Sequence, residues 1–126
     1  MPLITLTTCK PQSADSKSVV LDAIHAALVS VGVPAADRFQ RVIELSPDNV
    51  RIDPGYPDVA GARSDNFLLI EILWSVGRSV KVKRALLADL MARLMAGGID
   101  TEQVMVVFKE VGWENWSFAG GRILHG

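Results

Sequence analysis

The 126 residues are 49% hydrophobic and 21% charged, which fits one compact domain with a substantial core over residues 1–126. The formal net charge of -1 offers no basic surface to nucleic acid or to an anionic membrane. The single cysteine, Cys9, cannot form an internal disulfide, and residues 1–10 lack the pattern of a secretory signal. We therefore expect a cytoplasmic protein with neither a nucleic-acid nor a membrane partner.

The first half of the chain predicts a strand, a helix and a second strand within residues 1–45. An apolar, β-branched run at 3–7 predicts the first strand. Apolar residues then recur at helical spacing over 16–31, with Ser13 or Asp15 as candidate N-cap and Gly32 as stop. Residues 39–45 predict the second strand. Proline and glycine make 46–66 a long irregular connection, and loops of that length are often functional.

Residues 67–109 repeat this order. A nearly continuous apolar strand at 67–74 precedes a helix that Ser79 caps and that ends near Ala96, and 104–108 form the fourth strand. The tail at 112–126 should make a turn or a short hairpin. The second helix is expected to bury five apolar residues, Leu86, Leu87, Leu90, Leu94 and Met95.

This order predicts an α+β fold in which two β-α-β units form one four-stranded sheet with both helices on one face. The other face is then left uncovered. Because that face includes residues from 67–74, it would be a large apolar patch on a monomer. We therefore expect copies of the chain to associate through the sheet.

Several short segments spread over nearly the whole chain carry a family resemblance. Pro2 follows Met1 directly inside the opening strand, and the other segments are 32–40, Arg63-Ser64-Asp65, Ile70-Glu71-Ile72, Gly77-Arg78-Ser79 and 114–121. In these the chain resembles the tautomerase superfamily, and within it the subgroup that includes malonate semialdehyde decarboxylase. The resemblance implies a doubled β-α-β fold, a homotrimer, and an amino-terminal proline as the catalytic acid or base. No motif in the chain implies a cofactor.

Pro2 is the catalytic residue that the resemblance implies, once Met1 is removed. A proline terminus is a secondary amine, more basic than an ordinary α-amino group, whose pKa is about 7.7–8.0. Apolar walls and a nearby cation both disfavour the ammonium form, so the amine can act as a general base near neutral pH. Alternatively, Pro2 merely opens the strand.

Arg78 lies between a predicted strand and a predicted helix, where free backbone N–H groups favour an anion. A guanidinium there can clamp a carboxylate bidentately and stabilise an enolate. The alternative is an arginine on a solvated turn. The decarboxylase carries two arginines separated by one residue before its second helix, whereas this chain has Val76 and Arg78, which argues against decarboxylation.

Four further residues complete the predicted site. Asp37, which matches a catalytic aspartate of the decarboxylase, can activate water or orient substrate, or else stabilise a turn or pair with Arg38. Trp116 and Phe118 are candidate substrate-binding residues, and Trp116 can alternatively be a core or interface tryptophan. Arg63 is a second candidate anion ligand, with a salt bridge to Glu71 as its alternative.

The main hypothesis is keto-enol tautomerisation of a small 2-oxo or enol carboxylate, with Pro2 as acid or base and Arg78 as clamp. One alternative is a decarboxylase or hydratase in which Asp37 handles water or decarboxylation. Another is a trimeric scaffold without efficient chemistry. No Cys/His spacing suggests a metal site, and no glycine-rich phosphate loop is present.

Overall fold

A computed structural model describes residues 2–124 and has the α+β fold that the sequence predicts. Met1 and the last two residues of the predicted tail lie outside the described residues. The elements in chain order are β1 (Leu3–Thr8), α1 (Ala14–Ser30), β2 (Gln40–Glu44), β3 (Leu68–Ser75), α2 (Val80–Ala96) and β4 (Val104–Val111). Single 3-10 turns occupy Pro47–Asn49, Thr101–Gln103 and Trp113–Asn115.

Serine caps set the starts of both helices. The Oγ of Ser13 accepts a hydrogen bond from Ser16 N at 3.0 Å, so α1 begins two residues before the predicted start and Asp15 is not the cap. The Oγ of Ser79 accepts from Val82 N at 3.2 Å at the start of α2, as predicted. No helix within residues 2–124 is both long enough and apolar enough to span a bilayer.

The sheet has the strand order β2-β1-β3-β4. β1 runs parallel to β2 and antiparallel to β3, and β3 runs parallel to β4. Consequently β1 and β2 start at the edge of the sheet where β3 and β4 end, and we call this edge the Pro2 end. We call the opposite edge, where β3 and β4 start, the Leu68 end.

Alternate residues of the central strands form the core against both helices. Ile4 and Leu6 of β1 and Ile70 and Ile72 of β3 are at most 1% exposed, as are Leu86, Leu90 and Leu94 of α2. The prediction that Met95 is buried is wrong, because Met95 is 58% exposed. Leu86, Leu90 and Leu94 recur every four residues on one helix face, and Met95 is turned about 100° from Leu94. Leu87 is half-buried.

The other face of the sheet carries the odd-numbered residues of β1 and β3. Leu3, Leu69 and Leu73 are only partly buried there, and Met105 of β4 is 45% exposed. Two polar contacts cross the same face: Arg41 Nε donates to Thr5 Oγ1 at 3.0 Å, and Lys109 Nζ lies 2.7 Å from Glu71 Oε1. The face is therefore an apolar surface with a short polar row.

Candidate active site

The Pro2 end of the sheet gathers the three predicted catalytic residues, Pro2, Asp37 and Arg78. Pro2 is fully buried immediately before β1. Leu3 pairs with Leu73, so extending that register by one residue places Pro2 opposite Trp74. Ile4 N donates to Phe39 O at 2.9 Å, which holds the turn before β2 beside the start of β1.

Arg78 is held in place in the turn between β3 and α2. Gly77 has a φ of +115°, a conformation that glycine adopts without strain. Arg78 Nη1 donates to Ser75 O at 2.6 Å, and its Cζ lies 4.4 Å from the ring centroid of Trp74. Burial lowers the pKa of the guanidinium, while the charges of Glu110 and Asp37 oppose that shift. Arg78 is thus a partly desolvated cation on an aromatic face.

Asp37 lies in the turn between α1 and β2. Its backbone N donates to Pro34 O at 3.0 Å, and His25 Nε2 lies 2.9 Å from Ala35 O in the same turn. Burial raises the pKa of the Asp37 carboxyl, against the positive charges of His25 and Arg78. The neighbouring Arg38 forms an ion pair with Asp22 at 2.6 Å.

A cavity of about 390 Å³ opens between these two turns and the C-terminal tail. One acid and one base, Asp37 and Arg78, face it among largely apolar walls. Among the described residues, the lining consists of Gly32, Val33, Pro34, Asp37, Arg78, Trp113, Phe118 and Leu124. The cavity thus combines a cation, a carboxyl group and an aromatic wall, a combination typical of sites for small polar ligands.

The predicted tail hairpin is present and carries the aromatic wall. Ser117 and Ile123 form an antiparallel bridge. Trp116 stacks on Phe118 with ring centroids 5.9 Å apart and planes inclined by 19°. Trp116 Nε1 is buried and has no hydrogen-bond acceptor among the described residues, and Trp116 itself does not line the cavity.

The structure does not bring Arg63 to this cavity. Its Nη1 donates to the carbonyl oxygens of Asp53, at 2.9 Å, and of Tyr56, and thereby ties together the loop before β3. The alternative prediction of a salt bridge to Glu71 is wrong, because Glu71 pairs with Lys109 across the sheet. Arg63 therefore lies beyond the Leu68 end in the described chain.

The prediction named Asp37, Arg78 and Phe118 but overlooked Trp113 and Leu124 as cavity residues. Trp113 could have been found, because it is an aromatic residue two positions after the end of β4 and therefore lies at the Pro2 end. Leu124 gave no such signal, since only the hairpin turn carries it back to the cavity.

Other reactive side chains contribute little to this site. Across residues 2–124, no group of three or more His, Cys, Asp and Glu side chains could hold one metal ion. Cys9 is buried, and that burial raises the pKa of its thiol, which disfavours the reactive thiolate.

The comparisons with known proteins find one family of enzymes. A family model described as "Tautomerase enzyme" matches residues 37–119. The chain is similar to the malonate semialdehyde decarboxylase FG41 inhibited by 3-bromopropiolate, with 26% identity and a TM-score of 0.85 over 96% of this chain and 92% of that one. No curated protein sequence matches the chain significantly.

Two further solved structures extend the comparison. A malonate semialdehyde decarboxylase described in terms of its decarboxylase and hydratase activities shares 28% identity and a TM-score of 0.85, over 96% of this chain and 93% of that one. A fused 4-OT that forms a symmetric trimer shares the fold, with 24% identity and a TM-score of 0.70 over 96% and 94% of the two chains.

Proposed function

Because the chain belongs to the tautomerase enzyme family, we propose that it catalyses keto-enol tautomerisation of a small 2-oxo or enol carboxylate. Pro2 is the acid or base of this reaction, and Arg78 binds the substrate carboxylate. One observation carries the proposal: Arg78 and Asp37 line one apolar-walled cavity at the end of the sheet where Pro2 is buried.

The amine of Pro2 supplies the proton transfer after Met1 has been removed. Its buried position disfavours the ammonium form, and in this proposal the neutral amine acts as the base. The nitrogen lone pair takes a proton from the enol hydroxyl, or from the carbon beside the carbonyl. The resulting ammonium returns a proton at the other end of the conjugated system, and the substrate keeps its composition.

Arg78 is suited to bind the carboxylate. Among residues 2–124 it forms one side-chain hydrogen bond, from Nη1 to Ser75 O, which leaves Nε and Nη2 to donate to an anion. Contact with the Trp74 ring fixes the guanidinium plane before substrate arrives. A preoriented cation also stabilises the negative charge that develops on the enolate oxygen.

The aromatic wall completes the site. Phe118 and Trp113 offer flat apolar surface against which a conjugated substrate can pack. Trp116 lies outside the cavity lining and supports Phe118 by stacking.

The active form in this proposal is a homotrimer. The uncovered sheet face has the exposed apolar side chains that an association surface needs, including Met105 and Ile43. A fused 4-OT of the same fold forms a symmetric trimer. Sedimentation velocity should therefore give three times the mass of one chain.

The proposed function is tested with enol and oxo substrates followed by ultraviolet absorbance. Mass spectrometry first confirms that Met1 is absent, because an acylated proline nitrogen has no basicity. With phenylenolpyruvate or 2-hydroxymuconate, Pro2→Ala should lower kcat/KM by about 10²–10⁴-fold, the usual contribution of a general acid or base. Pro11→Ala, a proline in the turn before α1, is the matched control and should keep wild-type activity.

Unchanged enol turnover in Pro2→Ala would disprove the amine mechanism. The rate of the wild type should rise with pH as the Pro2 ammonium loses its proton. A chain that turns over none of the substrates, including malonate semialdehyde, would instead support a scaffold without chemistry.

A decarboxylase or hydratase is the second candidate. It is favoured by the two malonate semialdehyde decarboxylases at 26% and 28% identity, and by Asp37, whose carboxyl faces the cavity with a raised pKa. In this reaction cationic Pro2 is the acid and Asp37 handles water. Carbon dioxide release from malonate semialdehyde that Asp37→Asn abolishes, in a wild type that turns over neither enol, would establish it over the tautomerase.

A further inference from the structure

Structural features of the first half of the chain recur in the second half at positions 66 residues later. The helix caps are Ser13 and Ser79, and the helices that follow them, Ala14–Ser30 and Val80–Ala96, have 17 residues each. Both helices end before a glycine of positive φ, Gly32 at +105° and Gly98 at +83°. The chain therefore repeats its backbone closely although its two halves differ in sequence.

An ion pair repeats at the same spacing. Lys17 of α1 pairs with Glu44 of β2, and Lys83 of α2 pairs with Glu110 of β4. The turn after each helix also repeats, since Val33 N donates to Leu28 O at 3.1 Å and Ile99 N donates to Leu94 O at 2.9 Å. The correspondence thus extends from the backbone to side-chain contacts.

This repetition gives the candidate site a counterpart. A second cavity, of about 240 Å³, opens at the Leu68 end of the sheet, and we call it the twin cavity. Five residues that line the candidate site correspond, at a spacing of 66, to residues that line the twin cavity. The pairs are Gly32 with Gly98, Val33 with Ile99, Pro34 with Asp100, Asp37 with Gln103, and Arg78 with Gln12.

The reactive groups of the candidate site are replaced by neutral ones in the twin cavity. Leu68 occupies the position of Pro2, Gln103 that of Asp37, and Gln12 that of Arg78. The backbone thus keeps a cavity of the same construction without an amine, a carboxylate or a guanidinium at these positions. Proton transfer is lost, whereas the space for a ligand remains.

From this comparison we propose that the twin cavity binds a small uncharged molecule through a carbonyl oxygen. Its floor is apolar and includes Leu6, Val20 and Leu68. Among the described residues of its lining, Lys17 is the only basic one. Because Lys17 is paired with Glu44 and Asp100 adds a carboxylate, an anionic ligand gains little there.

Two carboxamides in the lining are suited to that carbonyl. Gln12 Oε1 accepts from Ser16 Oγ at 3.3 Å, and Asn66 Oδ1 accepts from Lys10 Nζ at 2.6 Å. Because the oxygens are engaged, each amide offers its NH₂ group as a donor to the cavity. Gln103 is structural: it accepts from Ser64 N at 2.9 Å and donates to Ala62 O at 3.1 Å, which closes one side of the cavity.

The test is a titration of the ¹⁵N-labelled protein with benzamide and with benzoate, monitored by ¹H–¹⁵N correlation spectra. The two probes share a ring and differ in charge. Benzamide should produce saturable shifts of the Ile99 and Gln103 amide signals, and benzoate should leave these two signals in place. Pro2→Ala should bind benzamide as the wild type does, so this result is independent of the proposed catalysis.

Variants locate the binding. Ser16→Phe places a ring in the lining of the twin cavity and should weaken benzamide binding by at least about tenfold. Ser18→Phe, exposed on the same helix and outside the lining, is the matched control and should bind normally. Asn66→Ala removes one donor and should weaken binding by about threefold to tenfold.

Three results would overturn the proposal. The first is the absence of saturable shifts of Ile99 and Gln103 up to the solubility limit of benzamide. The second is unchanged benzamide affinity in a folded Ser16→Phe protein. The third is benzoate binding to the twin cavity as tightly as benzamide.

Discussion

The two ends of the sheet have the same backbone and different side chains. At the Pro2 end, Asp37 and Arg78 line a cavity and Pro2 is buried at the start of β1, and at the Leu68 end two glutamines and a leucine occupy the corresponding places. The comparison shows that the doubled β-α-β backbone creates a cavity at each end of the sheet. In our proposal, three side-chain identities decide which of the two cavities performs acid–base chemistry.

The arginines show the same division. Among the described residues, Arg78 donates one side-chain hydrogen bond, to its own turn, whereas Arg63 donates to the carbonyls of Asp53 and Tyr56. In our proposal the same charge binds substrate at one end of the sheet and orders a loop at the other.

Among the substitutions that test this difference between the two ends, replacing Arg78 should have the largest effect on activity. Arg78→Ala should lower kcat/KM for a carboxylated enol by about 10²–10³-fold, because one preoriented donor to a developing negative charge commonly contributes that much. Steady-state kinetics measures the change, with Arg84→Ala as the control, since Arg84 is exposed on α2 and lies outside both cavity linings. Equal losses in both variants would place Arg78 outside the substrate site.

The matched glycines test whether the two turns are alike. Gly32→Ala and Gly98→Ala should each lower the free energy of unfolding by about 1–2 kcal/mol, because a Cβ is unfavourable at positive φ even where space is open. Urea denaturation gives both values, and Gly55→Ala, at an open position without positive φ, should change little. A neutral substitution at only one of the two turns would break the correspondence.

Arg63→Ala should show the structural use of that arginine. Loss of its hydrogen bonds to two exposed carbonyls should lower the free energy of unfolding by about 1 kcal/mol, with kcat/KM changed by less than about threefold. Thermal unfolding and kinetics are measured on the same sample. A drop in kcat/KM of more than tenfold, with stability intact, would instead support Arg63 as the anion ligand of the sequence-based prediction.

The smallest expected effect concerns Asp37 and pH. Burial raises the pKa of the Asp37 carboxyl in the folded state above its usual 3.8. At pH values between the usual pKa and the raised one, the folded state holds more protons than the unfolded state, so stability falls as pH rises. Asp37→Asn should therefore unfold at a higher temperature than wild type above this window, and the difference should vanish below it. Melting curves measured across the window test this, and Asp37→Glu should retain the pH dependence of the wild type.

Most of the fold could be predicted because its signals are local. Serine caps, glycine stops and apolar periodicity placed both helices and all four strands to within a few residues. The error at Met95 has the same origin, since one extra apolar residue beside Leu94 extends the pattern without belonging to the buried face. The family resemblance, rather than periodicity, supplied Pro2, Asp37, Arg78, Trp116 and Phe118 as candidates.

The sequence by itself determined the elements, their order, the caps and the identities of the ionisable groups, since each depends on residues close together in the chain. Only the tertiary structure decided that Asp37, Arg78 and the tail aromatics share one cavity and that Arg63 does not. The physical reason is that the antiparallel pairing of β1 with β3, set between segments some 60 residues apart, chooses which turns meet at each end of the sheet.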